Sequence, residues 1–298
     1  MPKALEHSEP SHDGGARDTS ENQVTVRHLR TYHEFIACLE LQREVWGVDF
    51  SEQRPPAILK VCQRVGGVAA GAFDADDQLV GFVFGITGIE NGEVVHWSDM
   101  LAVRPGLRDH GIGRRLKEFQ RETVRLVGAR RIYWTFDPLV ARNAHLNLNR
   151  LGADVSEYVP DMYGSQTTSA LHHGLGTDRF IVSWRLDRHA TPRSDDPAAL
   201  PPAARTARVL NALDDSGAPT IPEPKAGSIG PIFRVAIPLE IDKVQASSLP
   251  AAARWRAATR PALQWGLENG YGIRAFYRDR ATGCGYYVLS KTPFIEDS

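Results

Sequence analysis

The chain has 298 residues, 42% of them apolar and 24% charged, and a formal net charge of -1. No apolar run is long enough to span a bilayer, and so small a charge gives no global field for a polyanion, which excludes membrane and nucleic-acid partners. Cys38, Cys62 and Cys284 lie far apart without metal-ligand spacing, as expected of reduced thiols in a cytoplasmic protein with no metal centre.

The first 22 residues are polar and are expected to form a disordered extension. The alternating run Val24 to Leu29 predicts a strand, and Thr31 with Glu34 has the spacing of a capping box opening a helix that carries Phe35, Leu39 and Trp46 and closes at Gly47. Val68 to Phe73 and Leu79 to Ile86 predict a hairpin around the acidic turn Asp74 to Asp77. A longer strand, Val94 to Val103, enters Pro105-Gly106. From Gly111, the residues Ile112, Leu116, Phe119, Thr123 and Leu126 follow one helical face, with Gly128 as cap. Ile132 to Phe136 predicts a buried strand, Ala141 to Leu151 a short helix ended by Gly152, and Arg179 to Leu186 a last strand. The order is β-α-β-β-β-α-β-α-β over a domain at 23–187. Residues 188–230, rich in Pro, Ala, Asp and Ser, predict a linker with one short helical stretch at Arg205 to Leu213. A small α+β domain follows at 231–298, with strands near 233–237, 273–277 and 285–289 and a helix from Leu249 to Asn269 that Pro261 should kink or divide.

The stretch Val103-Arg104-Pro105-Gly106-Leu107-Arg108-Asp109-His110-Gly111-Ile112-Gly113-Arg114-Arg115-Leu116 joins a strand to a helix. Glycines at 111 and 113 let backbone amides converge on a pyrophosphate, the helix adds unpaired amides and the positive end of its dipole, and Arg108 can add charge-assisted hydrogen bonds. An ordinary turn beside a solvated basic face would show the same composition. A dinucleotide-binding turn would need a third glycine where Leu116 stands and an acid after the next strand, and neither is present.

This turn in its context resembles the Arg/Gln-x-x-Gly-x-Gly/Ala signature of the GNAT superfamily of acyl-CoA N-acyltransferases. The likeness extends through Trp134-Thr135-Phe136-Asp137-Pro138-Leu139, Asn143-Ala144-His145-Leu146-Asn147, Tyr158-Val159-Pro160-Asp161-Met162-Tyr163-Gly164 and a C-terminal stretch around Trp255-Arg256-Ala257-Ala258-Thr259-Arg260, similar to a bacterial branch with an extra C-terminal segment. The resemblance implies an α/β fold of mixed, mostly antiparallel central sheet flanked by helices, with a small C-terminal α+β segment. It also implies acetyl-CoA or another acyl-CoA held by Arg108, Asp109, His110, Gly111, Ile112, Gly113, Arg114 and Asn143, its arm lying where two strands splay after Val103.

Direct attack of a primary amine on the thioester needs a base, oxyanion donors and an acid for the thiolate. Asp99, a charge on a mostly apolar strand where such enzymes carry an acid or His, is the expected base, with His96 in reserve; pairing with an arginine is the competing reading of Asp99. The backbone amides of Leu101, Ala102 and Val103 are the expected oxyanion donors. Leu148 occupies the position where many relatives place a tyrosine, so Tyr163 is the expected acid. Arg254, Arg256 and Arg260 stand at helical spacing, and Arg256 and Arg260 are expected to hold a carboxylate of the substrate; a solvated basic face is the alternative. The leading expectation is acetyl transfer to a small-molecule amine, with an amino acid as a candidate acceptor. Alternatives are an acyl-CoA-binding module with weak catalysis, a protein-directed acyltransferase and a succinyl-CoA-dependent amino-acid acyltransferase. A homodimer stays open.

Overall fold

A computed structural model describes residues 24–164, 175–187, 192–225 and 227–294. The extension expected over 1–22 lies outside the described residues. Strand β1 (Thr25–His28) leads into helix α1 (Tyr32–Trp46), whose start is fixed as expected: Thr31 Oγ1 accepts from the Glu34 amide at 3.3 Å and Glu34 reaches back to the Thr31 amide. Helix α2 (Pro56–Arg64) follows, opened by a proline at its first position, where the missing N–H is not needed. Its periodicity is not legible along the chain because only Leu59 of its apolar residues is buried, while Ile58, Val61 and the capping Val65 face outward.

Strands β2 (Val68–Phe73), β3 (Leu79–Glu90) and β4 (Glu93–Val103) form two successive hairpins. Strand β3 runs past its expected end to a second turn at Asn91-Gly92, where φ of 50° and 82° matches the two positive values a type I′ turn requires. Helix α3 (Ile112–Leu126), strand β5 (Arg131–Phe136), the one-turn helix α4 (Ala141–Ala144) and a π-helical turn at His145–Arg150 come next. Strands β6 (Asp154–Val159) and β7 (Arg179–Arg185) complete a seven-stranded sheet of order β1-β2-β3-β4-β5-β7-β6, antiparallel except between β4 and β5. The expected order lacked β6, an edge strand with one buried residue, Tyr158, and a register shift between Val155 and Glu157 that breaks its alternation.

A short helix α5 (Pro202–Thr206) lies within the expected linker and overlaps only the first two residues of the stretch read as helical, the rest of which is not helix. Strand β8 (Ile232–Pro238), helices α6 (Ile241–Ser247) and α7 (Leu249–Glu268), and strands β9 (Gly272–Asp279) and β10 (Cys284–Ser290) form a second sheet of order β8-β10-β9 with α7 packed on β8. Pro261 leaves the Ala257 carbonyl without its intrahelical donor, yet α7 runs undivided through it because residues on both sides, Ala258 and Ala262, are fully buried. The two sheets share one core: Phe180 of β7 meets Tyr287 of β10 edge to face, and the Tyr287 hydroxyl donates to the Pro138 carbonyl at 2.7 Å. Among the described residues no helix is long and apolar enough to cross a membrane.

Candidate active site

Strands β4 and β5 pair only through Val95–Trp97 against Arg131–Tyr133, although both continue beyond. The seam therefore opens at Ser98, well before the point after Val103 where it was expected. Hydrogen-bond phase decides which backbone groups face the gap. The Arg104 amide donates to the Val80 carbonyl at 2.9 Å, and Ala102 lies opposite Phe82 two positions along. In an antiparallel ladder every second pair turns outward, so Leu101 and Val103 present N–H and C=O groups to the gap, while Ala102 spends its amide on β3. Of the three amides expected to serve as donors, those of Leu101 and Val103 face the gap and that of Ala102 does not.

The gap widens into a cavity of about 280 Å³ lined by residues that include Ser98, Asp99, Leu101, Trp134, Asn143 and Tyr163. A bulge aims the carboxylate. Phe84 pairs with Met100 and Gly85 with Ser98, which leaves Asp99 without a partner on β3. Ser98 faces α3 and Met100 packs against α1, so the extra residue puts Asp99 on the α1 side and flips the strand's facing beyond it. There Arg54 grips both carboxylate oxygens, Nε to Oδ2 at 2.6 Å and Nη2 to Oδ1 at 3.2 Å. Arg54 is itself fixed by the fully buried Gln42 of α1, which accepts from the Arg54 amide at 2.7 Å and donates to its carbonyl at 3.1 Å. The hydrogen bond to Asp99 raises the guanidinium pKa further. Arg54 sits in a loop, and the signal that could have found it was Gln42, a polar residue on the buried face of a helix.

His96 is withdrawn from the cavity. It is fully buried with Nδ1 2.9 Å from Thr87 Oγ1 and Nε2 3.0 Å from Gln120, and burial with the nearby Lys117 pushes its pKa down to about 3, so the ring is neutral.

The turn after β4 has the geometry of an anion site. Asp109 (φ 67°) and Gly111 (φ 77°) take left-handed conformations that turn the chain into α3, and His110 between them is exposed. Gly111 caps the helix without a side chain, and the first α-helical bond runs from the Arg115 amide to the Gly111 carbonyl, which leaves the Ile112, Gly113 and Arg114 amides directed out of the helix end. The Ile112 side chain is core, so it offers only its amide. A Cβ at Gly113 would meet only Leu101 and Val103 at 3.8 and 3.9 Å, ordinary contact, and no positive φ demands glycine there. Glycine in a helix costs up to about 1 kcal/mol against alanine. The fit to a pyrophosphate rests instead on the three uncapped amides and on the left-handed turn at Asp109 and Gly111 that leads into them. Arg108 folds back with Nε 3.4 Å from the Val103 carbonyl, and Arg114 pairs with Glu118 at 2.8 Å, outside the turn.

On the β5 side, the exposed Tyr163 has its hydroxyl 3.1 Å from Thr135 Oγ1 and its ring under the Arg179 guanidinium. Asn143 of α4 lines the cavity, and Leu148 is buried in the core. The two arginines expected at the substrate do not line the cavity. Arg256 donates to Asp137 Oδ2 at 2.6 Å and to the Leu175 carbonyl at 3.1 Å; Arg260 donates to Asp178 Oδ2 at 2.9 Å and Asp161 Oδ2 at 3.0 Å. Arg254 binds Asp214 and the Pro219 carbonyl. Helical spacing puts Arg256 and Arg260 on one face of α7, and that face docks on acids at the β5 and β6–β7 ends rather than on solvent or ligand, while Arg254 lies on another side against Asp214.

Residues 35–152 match the family described as acetyltransferase (GNAT) family. No curated protein matches the sequence. Among solved structures, the chain is similar to a putative acetyltransferase from Salmonella typhimurium determined with its cofactor acetyl-CoA, at 18% identity over 58% of this chain and 99% of that one, with a TM-score of 0.44. It is also similar to the ribosomal-protein-S18-alanine N-acetyltransferase from Escherichia coli, at 15% identity, 56% and 96% coverage and a TM-score of 0.43. A third likeness is to a chain of the NatC complex bound to Gag peptide and CoA, at 17% identity, 55% and 98% coverage and a TM-score of 0.44.

Proposed function

We propose that the protein transfers an acyl group, acetyl by default, from acyl-coenzyme A to the primary amine of a small molecule, a reading supported by the match of residues 35–152 to the GNAT acetyltransferase family. The reading takes 23–187 as the acyltransferase domain, 188–230 as a linker and 231–298 as a small C-terminal unit. The observation that carries it is the continuity of three features along β4: outward amides at Leu101 and Val103, the bulged Asp99 in the adjoining cavity, and an uncapped helix end reached through the same strand.

When bound, acyl-CoA supplies a carbonyl carbon activated by a thiol leaving group. The amides of Ile112, Gly113 and Arg114, with Arg108, hold the pyrophosphate, and Asn143 offers its amide group to the donor from the β5 side. The outward N–H groups of Leu101 and Val103 orient the thioester oxygen and stabilise charge that develops on it. Asp99 accepts the proton of the incoming ammonium. Arg54 occupies one direction on each carboxylate oxygen and leaves the other lone pairs free to accept it. Tyr163, which lines the cavity beside Thr135, is the group that would return a proton to the departing sulfur.

Calorimetric titration of free CoA and acetyl-CoA tests the donor, with Gly111→Trp as the control that fills the turn. Saturable binding lost in that variant supports the proposal, and amine-dependent release of thiol then identifies acceptors. Failure of both ligands to bind the native chain would overturn it.

A further inference from the structure

Lys117 lies on the inner face of α3, 2% exposed, with its ammonium group reaching the floor of the cavity. Its Nζ donates to Ser98 Oγ at 2.7 Å and sits 4.1 Å from the centre of the Trp134 ring, between the two strands whose seam has opened. The other cationic side chains lining the cavity each have an acid within reach: Arg54 has Asp99, Arg142 has Asp242 at 2.7 Å, and Arg179 has Asp137 at 3.8 Å. Among the described residues Lys117 has none.

The groups around it do not replace an acid. Ser98 on β4 is neutral, Trp134 on β5 offers only its ring face, Gln120 on α3 is bonded to His96, and His96, the nearby titratable group, is neutral. Burial drives the Lys117 pKa well below its ordinary value. A methionine would fill the same volume without a polar group to desolvate. Lys117 also stands apart from the phosphate turn: six residues beyond Gly111 at 1.5 Å per residue is about 9 Å along the helix, so it marks a second anionic point.

We infer that Lys117 binds a carboxylate carried into the cavity by a ligand, because it is the cavity-lining cation whose counter-charge the chain does not supply. This rests on the acyl-CoA reading and narrows its substrate class. The carboxylate has two sources, the free end of a dicarboxylic acyl group on the donor or the carboxylate of an amino-acid acceptor. Burial disfavours the protonated amine and either carboxylate favours it, so binding is linked to proton uptake.

Isothermal titration in two buffers of different ionisation enthalpy reads both quantities. In one arm succinyl-CoA and acetyl-CoA are titrated into the full chain; in the other, protein saturated with free CoA receives glycine or glycinamide. The inference expects the carboxylated ligand of at least one arm to bind about tenfold tighter than its neutral counterpart, with uptake of up to about one proton, and Lys117→Met to abolish both. The arm that responds identifies the source. Proton uptake is read on the native chain, so the result does not depend on the variant folding. If free CoA binds but neither arm shows preference or uptake, the inference is overturned and the donor reading stands; if free CoA does not bind, both fall.

Discussion

Arg256 and Asp137 meet at 2.6 Å with both side chains almost fully buried, although 119 positions separate them in the chain. Burial alone would raise the Asp137 pKa, but Arg256 and then Arg179 outweigh it and hold the carboxyl below its ordinary value. Removing one member of such a pair leaves a buried charge, so Arg256→Met should destabilise the fold by about 3–5 kcal/mol, and Asp137→Asn in the same chain should recover part of that loss. Urea unfolding of the double-mutant cycle measures the coupling. The depressed folded pKa makes the pair's stabilisation fully present above the unfolded carboxylate value near 4 and lost as pH falls below it.

His96 contributes an acid sensitivity of its own. Its ring is neutral when folded, with a pKa of about 3, and takes a proton below about 6.5 when unfolded, so stability should decline as pH falls from about 6.5 toward 3. Replacing His96 with methionine should flatten that part of the stability profile. A slope that persists unchanged would assign the effect to other groups.

Gly113→Ala separates folding from binding. The added Cβ finds ordinary contacts, so the helix should gain a few tenths to about 1 kcal/mol and the melting temperature should rise. CoA affinity should hold, because the added Cβ points toward Leu101 and Val103 and the signature that this turn resembles accepts alanine at the same position. A variant that is stabilised yet loses CoA would show instead that a phosphate packs directly against the Gly113 Cα.

Asp99→Asn should lower kcat by about 10²- to 10⁴-fold once an acceptor is identified, with CoA affinity retained. Tyr163→Phe should cost less, since a thiol leaves as thiolate near neutral pH without much assistance. Equal losses in kcat and CoA affinity for Asp99→Asn would instead indicate that the Arg54 pair only shapes the cavity.

Much of this arrangement was written locally. The turn from Val103 to Leu116 is legible because each part, the proline, the glycines and the helical apolar face, acts within a few residues. The bulge at Asp99 is not, since a strict period of two would place Asp99 and Leu101 on one face, and only pairing with β3 shows that the facing changes between them. Lys117 escaped notice because a charged residue in an amphipathic helix reads as solvated, yet Leu116, Lys117, Gln120 and Val124 are all buried on α3. The partners of Arg256 and Arg260 depend on docking between segments about a hundred residues apart, which no local pattern encodes.

The open seam between β4 and β5 has a consequence for solvent. Leu101 and Val103 belong to a central strand, where amide hydrogens ordinarily exchange slowly, yet theirs face the unpaired seam instead of a neighbouring strand. With the cavity empty, the middle of the sheet should carry an alternating record, with fast exchange at 101 and 103 and slow exchange at 102. A ligand laid along the seam would erase that alternation by slowing the two fast positions, so the sheet's interior can report occupancy without any turnover.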